Sequence, residues 1–491
     1  MEIAIFWFRP SKKYTMTYKK VAIITQLISV ALCVALGVYE ETFMDSVYGE
    51  LVASKESKNY KHELLETGEL TRDAKFDKIT EKSSIDLSQF DPNDIGSFQQ
   101  VLDMYHSSQK SNMHQQHNDV YYEKSHESYQ KYRPMVKFPN DDDTSDIYDD
   151  ARNLFGGITT YGHFRHFNCF DPKLFDEKID IAVVGAPFDT GVSFRPGARF
   201  GPDSIRSASK RLGGVSPDRG RGNPNTNMTE INPYDPRSHN LSIIDCGDVP
   251  MTPFDNRIAL NQLYRGQRSI HKHTSGNKPK IITMGGDHTV TLMALKSAYE
   301  HYGALSVLHF DSHIDTWDPK KLGGGITNYM SLNHGTFLHY AAEQGYLNKG
   351  SCFHLGMRAP YIDYHYDLHH DKDHCGFNTI TARDLDNLGR AHIVESIKQA
   401  VGSNPVYISV DIDVLDPASA PGTGTVEVGG WTARELLSIL DGLEGINVVG
   451  GDVVEVSPPY DTNSGITALA ATGVIDSIMG LIMVKTLSAH P

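Results

Sequence analysis

From about Asp150 onward the chain repeats one pattern: a short run rich in β-branched residues, a Gly or Asp turn, then a segment with helical spacing. The runs are IDIAVVGAP (179–187), LSIIDCGDV (241–249), KIITMGG (280–286), LSVLHFD (305–311), CFHLGM (352–357), NTITA (378–382), PVYISVDID (405–413) and NVVGGDVVEVSP (447–458). Helical patterns such as TVTLMALKSAYEHYG and TARELLSILDGLEG lie between several of them. Strands that alternate with helices need right-handed crossovers, which set the strands parallel in one sheet and cover both its faces. The expectation is an α/β domain over residues 151–491 with a mostly parallel, eight-stranded sheet. Ligands of such sheets bind beyond the carboxyl ends of the strands.

Acids and histidines gather where that rule points. Asp287 and His288 follow KIITMGG, Asp311, His313 and Asp315 follow LSVLHF, Asp411 and Asp413 close VYISVDID, and Glu455 follows GGDVV. In FDSHIDTWD (310–318) the three groups recur at every second position, and alternate strand side chains share a face. A lone DxHxD is a weak signal, because it also suits a solvated turn, and a lone DID is weaker. Four strands delivering such groups to one rim are a stronger one. His288, Asp311, His313, Asp315, Asp411 and Asp413 form a hard-to-borderline donor set that suits manganese or a similar divalent ion.

Charge sets the number of ions. Burying unpaired carboxylates costs several kcal/mol each, and four of them crowd this rim. Two divalent cations balance the four charges, with neutral histidines completing the coordination, whereas one cation leaves a surplus. A pair of ions about 3.5–4 Å apart can hold a water between them and lower its pKa toward ~7. Glu455, beyond the six ligands, is placed to hold a cationic group of a substrate; the plainer reading is an ion pair with a nearby basic side chain. The expected chemistry is hydrolysis of something positively charged.

The first part of the chain reads differently. Lys12, Lys13, Lys19 and Lys20 precede an apolar stretch at 21–37 with small residues at Ala35 and Gly37, the pattern of a secretory signal cleaved soon after residue 37. An uncleaved membrane anchor over 21–37 is the competing reading, since the stretch is near the lower length for a bilayer span. A secreted, extracellular or vacuolar protein is expected in the first case. Asn227 and Asn240 stand in N-x-S/T sequons, which are compatible with that route. Residues 38–150 are polar with no sustained apolar periodicity, so a largely disordered leader is expected there, its His and Gln clusters serving as solvated linker. The net charge of −15 argues against nucleic acid, which rewards clustered Lys and Arg. Five cysteines include no CxxC pair. Cys33 falls in the apolar stretch, while Cys169, Cys246, Cys352 and Cys375 are open to being free thiols or to forming one or two bridges.

These residues resemble the ureohydrolases, the family of arginases, agmatinases and guanidinobutyrases. GGDHT (285–289), FDSHIDTWD (310–318), SVDIDVLDPASAPGTGTVEVGG (409–430) and DVVEVSPPYD (452–461) occur in the family's order, as does GAPFDTGVSFRPGARFGPDSIR (185–206). The likeness runs from about Gly156 to Leu487. It implies a three-layer α/β/α arginase-like fold and two manganese ions. His288, Asp311, Asp315 and Asp411 would hold one ion; Asp311, His313, Asp411 and Asp413 would hold the other. A bridging hydroxide would attack the guanidinium carbon, Asp315 would relay a proton to the leaving amine, and Glu455 would pair with the guanidinium. NHGTF (333–337) aligns with a loop histidine of the family, which makes His334 the expected proton shuttle and a substrate contact. Ser312 stands where the family usually has alanine, a small-for-small change expected to be harmless.

Arginases carry an Asn two positions after the metal-binding Asp, then a Ser-rich loop that grips the substrate's carboxylate. This chain has Thr316, Trp317 and LGGGITNYMSLNHG instead. The likeness is therefore to agmatinases, in particular the fungal type, which also carries a stretch similar to GGITTYGHFRHF (156–167). It implies hydrolysis of agmatine to putrescine and urea by a trimer or hexamer, with no stable membrane contact once a signal is removed. Guanidinobutyrase activity is the alternative. A non-catalytic secreted binding relative is a further one, against which the intact ligand set speaks.

Overall fold

All eight β-branched runs form strands, and a short ninth strand precedes them. The computed structural model describes residues 158–171, 177–213, 232–235, 239–273, 278–322 and 331–488. The signal or anchor at 1–37, the leader at 38–150 and Asn227 lie outside those residues, while Asn240 is exposed just ahead of a strand. The strands are β1 (Arg165–His166), β2 (Ile181–Ala186), β3 (Ile243–Asp248), β4 (Lys280–Gly285), β5 (Ser306–Phe310), β6 (Cys352–Met357), β7 (Phe377–Thr381), β8 (Pro405–Asp411) and β9 (Asn447–Val454). They form one sheet in the order β1-β3-β2-β4-β9-β8-β5-β6-β7, and every pairing is parallel. The sheet is thus larger by one edge strand than its β-branched runs predict.

β1 escapes that pattern because it holds only two residues, both exposed and neither apolar. Its neighbours hold it in place. Tyr161 is fully buried; its N–H donates to Asp245 Oδ2 on β3 at 2.8 Å and its hydroxyl to the Thr472 carbonyl at 2.9 Å. A disulfide between Cys169 and Cys246 then ties the segment after β1 to β3. Cys352 and Cys375 are free and buried.

Helices cover both faces, giving three layers. They are α1 (Gly201–Ala208), α2 (Asn256–His271), α3 (Val290–Tyr302), α4 (Phe337–Glu343), α5 (Tyr364–His369), α6 (Asp384–Leu388), α7 (Arg390–Val401), α8 (Ala433–Gly442) and α9 (Ile466–Ser488). Alternation along the strands sorts the core into two halves. Ile181 and Val183 of β2 share a cluster with Ile205 of α1, Ile397 of α7, Leu436 of α8 and Ile475 of α9. Ala182 and Val184 face the other way, into a cluster with Leu260 of α2, Met293 of α3 and Phe337 of α4. Each buried aliphatic side chain is worth about 1.5–3 kcal/mol. A one-residue slip would exchange the two sets, so the register is strongly specified.

Local signals agree with the helix starts. Asp255 accepts from Ile258 N at 2.8 Å ahead of α2, and Thr432 with Glu435 forms a reciprocal capping box ahead of α8. Within α9, residues Ile466–Thr486 are long and apolar enough to cross a membrane, but most of that span is buried, packed against β9, α1 and α8. It is a core helix of the sheet's cover.

Candidate active site

β4, β9, β8 and β5 are consecutive neighbours at the centre of the sheet, and all four deliver polar residues at their carboxyl ends. His288 leaves β4, Asp311 leaves β5 with His313 and Asp315 behind it, Asp411 ends β8 with Asp413 in the following turn, and Glu455 follows β9. The structure brings the six ligand candidates into two groups. His288 Nδ1 lies 3.1, 3.2 and 3.4 Å from Asp311 Oδ2, Asp315 Oδ2 and Asp411 Oδ2. His313 Nδ1 lies 3.2 Å from Asp311 Oδ1 and 3.2 Å from Asp413 Oδ2. Asp311 gives one oxygen to each group, the placement a bridging ligand requires.

The donor chemistry fits a divalent cation. His288 Nδ1, Asp311 Oδ2 and the neighbouring His309 Nε2 are buried without an aligned hydrogen bond, although they lie close together. Leaving such atoms unpaired costs about 1–3 kcal/mol each. Burial, then the charges of Asp413 and Asp311, push the Asp411 carboxyl well above the ordinary carboxylate range. Burial and Asp311 raise Asp315 to about 6. Against burial, which lowers it, Asp311, Asp315 and Asp411 raise His288 well above its usual value. Asp411 and Asp315 draw in protons, while against burial, which raises it, His309, His288 and His313 hold the Asp311 carboxyl well below the ordinary range, and a divalent ion relieves such crowded charge.

Groups behind the rim set the imidazole of His288. Its Nε2 lies 2.8 Å from Ser409 Oγ, whose hydroxyl donates to Asp452 Oδ1 at 2.7 Å. Asp452 also accepts from Tyr407 and Thr291, both at 2.8 Å. Since Ser409 spends its proton on Asp452, it accepts from His288 Nε2–H, which leaves the Nδ1 lone pair aimed at the rim. His309 has a similar chain. Its Nε2 is 3.0 Å from Asp311 Oδ2, its Nδ1 is 2.8 Å from His354 Nδ1, and His354 Nε2 is 2.8 Å from Asp371. Burial lowers the pKa of His309 to about 3. The pattern reading begins at Asp311 and misses His309, yet one more step of two residues back along β5 reaches it.

Glu455 Oε1 accepts from His288 N at 2.9 Å and lies 3.1 Å from His334 Nδ1. Ser193 N donates to His334 Nε2 at 3.0 Å, so the proton of a neutral ring sits on Nδ1 and points at Glu455. Asp315 and Glu455 are two of three non-glycine residues with positive φ among the described residues, at 52° and 60°. Such backbone costs about 1–3 kcal/mol per residue and persists where the surroundings over-determine it. Asp287 stands outside both donor groups. It accepts from Gly191 N at 2.7 Å and Thr289 N at 2.9 Å, tying the GAPFDTGVSF segment to the rim, and burial with the Glu455 charge raises it to about 7. Gly286 must lack a side chain, because a Cβ there would collide with the Phe188 carbonyl that accepts from Asp287 N.

Two further residues act on the donor groups. Ser312 Oγ donates to Asp413 Oδ1 at 2.7 Å and lies 3.1 Å from His313 Nδ1, so it does more than fill an alanine's space. Arg358 donates to six carbonyls, among them Asp413, Val414 and Glu427, and fixes the loop beyond β8. No local sequence signal marks Arg358, because five of its six partners lie about 55–70 residues away.

A parallel α/β/α fold with paired His/Asp donor groups at its central strand ends defines a class of metal-site hydrolases. The chain belongs to the arginase family, the ureohydrolases, whose model matches residues 179–480. It is 43% identical over 362 residues to "Putative agmatinase 1" of Schizosaccharomyces pombe, covering 71% of this chain and 86% of that one. It is 35% identical over 310 residues to "Guanidino acid hydrolase, mitochondrial" of Homo sapiens, covering 63% and 80%. Among solved structures it is similar to proclavaminate amidino hydrolase from Streptomyces clavuligerus, with a TM-score of 0.56, 32% identity, and coverage of 68% of this chain and 99% of the other.

Proposed function

We propose that this ureohydrolase cleaves agmatine to putrescine and urea with two manganese ions. The carrying observation is the pair of donor groups sharing Asp311, with Glu455 and His334 beside them. His288, Asp311, Asp315 and Asp411 would hold one ion, and Asp311, His313, Asp411 and Asp413 the other. When bound, such a pair supplies a water of lowered pKa as the nucleophile. Glu455 receives the guanidinium and holds its carbon over the rim. Asp315, beside the attacking water, takes its proton and gives it to the departing amine as the carbon–nitrogen bond breaks. His334 exchanges protons with solvent past Ser193.

Substrate choice is supported by what Thr316 and Trp317 do. Thr316 Oγ1 donates to Asp371 at 2.7 Å and Trp317 Nε1 to Asp367 at 3.2 Å, so neither offers its polar atom to an amino acid's carboxylate. A site that lacks that grip, as the described residues do at Thr316 and Trp317, leaves arginine's acid unpaired and favours the decarboxylated amine. A guanidino acid such as 4-guanidinobutyrate is the second reading. Arg195 favours it, stacked over Phe194 and Tyr460 two residues from the Ser193 that touches His334. The test is urea release by the manganese-loaded protein from agmatine, arginine and 4-guanidinobutyrate. Agmatine should lead in kcat/KM by at least about tenfold, roughly 1.4 kcal/mol. A lead for 4-guanidinobutyrate replaces the reading with the second one, and equal turnover of arginine removes the carboxylate argument.

We also place the protein in the secretory pathway as a trimer or hexamer. The Cys169–Cys246 disulfide is in keeping with an oxidising compartment. N-terminal sequencing of the native protein distinguishes a cleaved signal from a retained anchor, and light scattering measures the assembly.

A further inference from the structure

A second group of imidazoles lies apart from the donor groups at the central strand ends. α4 carries His339 and Glu343 four residues apart, and the helical segment His370–Cys375 that continues α5 carries His370 and His374, again four apart. Residues at that spacing share a helix face, and here the two faces meet. His339 Nε2 lies 3.5 Å from Glu343 Oε1, and His374 Nε2 lies 4.0 Å from the same oxygen. The three donor atoms fall within 4.8 Å of one another. On the other side of the ring, His339 Nδ1 is 3.0 Å from His370 Nε2. A cavity of about 670 Å³ opens on the group, with Asp318 and Tyr366 also in its wall.

Stacking and a weak ion pair account for part of this. The rings of His370 and His374 are 4.7 Å apart and nearly parallel. Stacking alone needs no carboxylate between two imidazole nitrogens, and it needs no polar cavity over them. We propose that His339, Glu343 and His374 form a separate site for a transition-metal ion of the zinc class, with His370 orienting the His339 ring and water filling the position toward the cavity.

Two imidazoles, one carboxylate and an open position are a set that zinc uses. Imidazole-rich donors select zinc over manganese, calcium or magnesium, whereas the central rim is built mostly of hard carboxylates. A ligating histidine is normally fixed through its second nitrogen, the part His370 plays. The ion would join α4 to the segment ending at Cys375. α4 begins three residues after His334, and its Leu338 N–H donates to the Asp315 carbonyl at 3.1 Å. Zinc there stiffens the support of both residues without touching substrate, and the site stands whichever guanidino compound the enzyme takes.

The experiment titrates the full, manganese-saturated chain with zinc, counting both metals by elemental analysis after dialysis and locating zinc by anomalous diffraction at its absorption edge. The expected result is one zinc per chain with no loss of manganese, at the His339–Glu343–His374 group. Glu343→Gln and His374→Ala should each abolish that equivalent while keeping manganese-dependent turnover. Both side chains are about half exposed, at 46% and 47%, so these variants leave the core intact. Zinc that enters only as manganese leaves, or that binds the variants as well as the parent chain, overturns the proposal.

Discussion

His334 Nδ1 lies 3.1 Å from Glu455 Oε1, so the proposed proton carrier and the proposed counter-ion of the substrate are each other's partner. A guanidinium entering the site must therefore compete with His334 for Glu455. Binding and proton release are linked, because whichever cation holds the carboxylate decides how firmly the imidazole keeps its proton.

The link gives His334 a measurable pH signature in the metal-free protein. Burial lowers its pKa, but the hydrogen bond and charge of Glu455 outweigh burial and raise it to about 9. With an unfolded value near ~6.5, the protonated ring stabilises the fold below that pH, and the contribution is lost as pH rises through about 9. In Glu455→Gln the hydrogen-bonded charge is gone, and NMR titration should show His334 falling back toward its ordinary value. An unchanged titration would mean that another group holds the proton.

Loss of a ligand and loss of the shuttle should separate cleanly. Asp411→Asn removes a charge that faces His288 and should cost at least one manganese ion and nearly all turnover. His334→Ala touches no ligand oxygen, so both ions should stay while kcat falls by about 10²–10⁴, the range for lost acid–base help. Metal content and turnover measured on the same samples check both. Tight retention of two ions by the Asp411 variant would remove that residue from the ligand set.

The sheet is legible where burial on two faces forces continuous apolar runs, as in IAVVGA of β2 and SVLHF of β5. β1 is not, because Arg165 and His166 are polar and exposed, and the segment is held by Tyr161, the disulfide and polar contacts in place of apolar burial. At the site, period-two spacing marks Asp311, His313 and Asp315 directly. It also reaches His309, which looks like one more core residue of β5 until its contact with Asp311 is seen. Ser312 and Arg358 are a different case. What they do depends on Asp413 and on the loop beyond β8, brought near only by the pairing of β5 with β8 on one edge and with β6 on the other.

Ser312 should therefore matter to metal retention. Its hydroxyl and its backbone N–H both donate to Asp413 Oδ1, at 2.7 and 3.1 Å. Ser312→Ala keeps the second bond and loses the first, freeing the carboxylate to rotate. Residues that orient ligands cost about 10–100-fold in affinity when removed. Competition with a chelator should show one of the two ions leaving more readily from the variant. Equal retention would return Ser312 to the harmless substitution its size suggests.

The edge of the sheet offers a test that does not involve metal. Cys169 and Cys246 close a loop of 77 residues and are both buried, at 1% and 2% exposure. Constraining an unfolded chain over such a loop is worth about 2–4 kcal/mol. β1 makes only two register pairs with β3, Arg165 with Ile244 and His166 with Asp245, so once the bridge is gone it rests on those pairs and on the Tyr161 anchor. Changing both cysteines to alanine should lower the thermal midpoint and raise amide exchange around residues 161–170, while the strands β4, β5, β8 and β9 keep their protection and the enzyme its turnover. If exchange rises across the central strands as well, the edge and the catalytic rim unfold as one unit, and the bridge supports the site that lies three strands away.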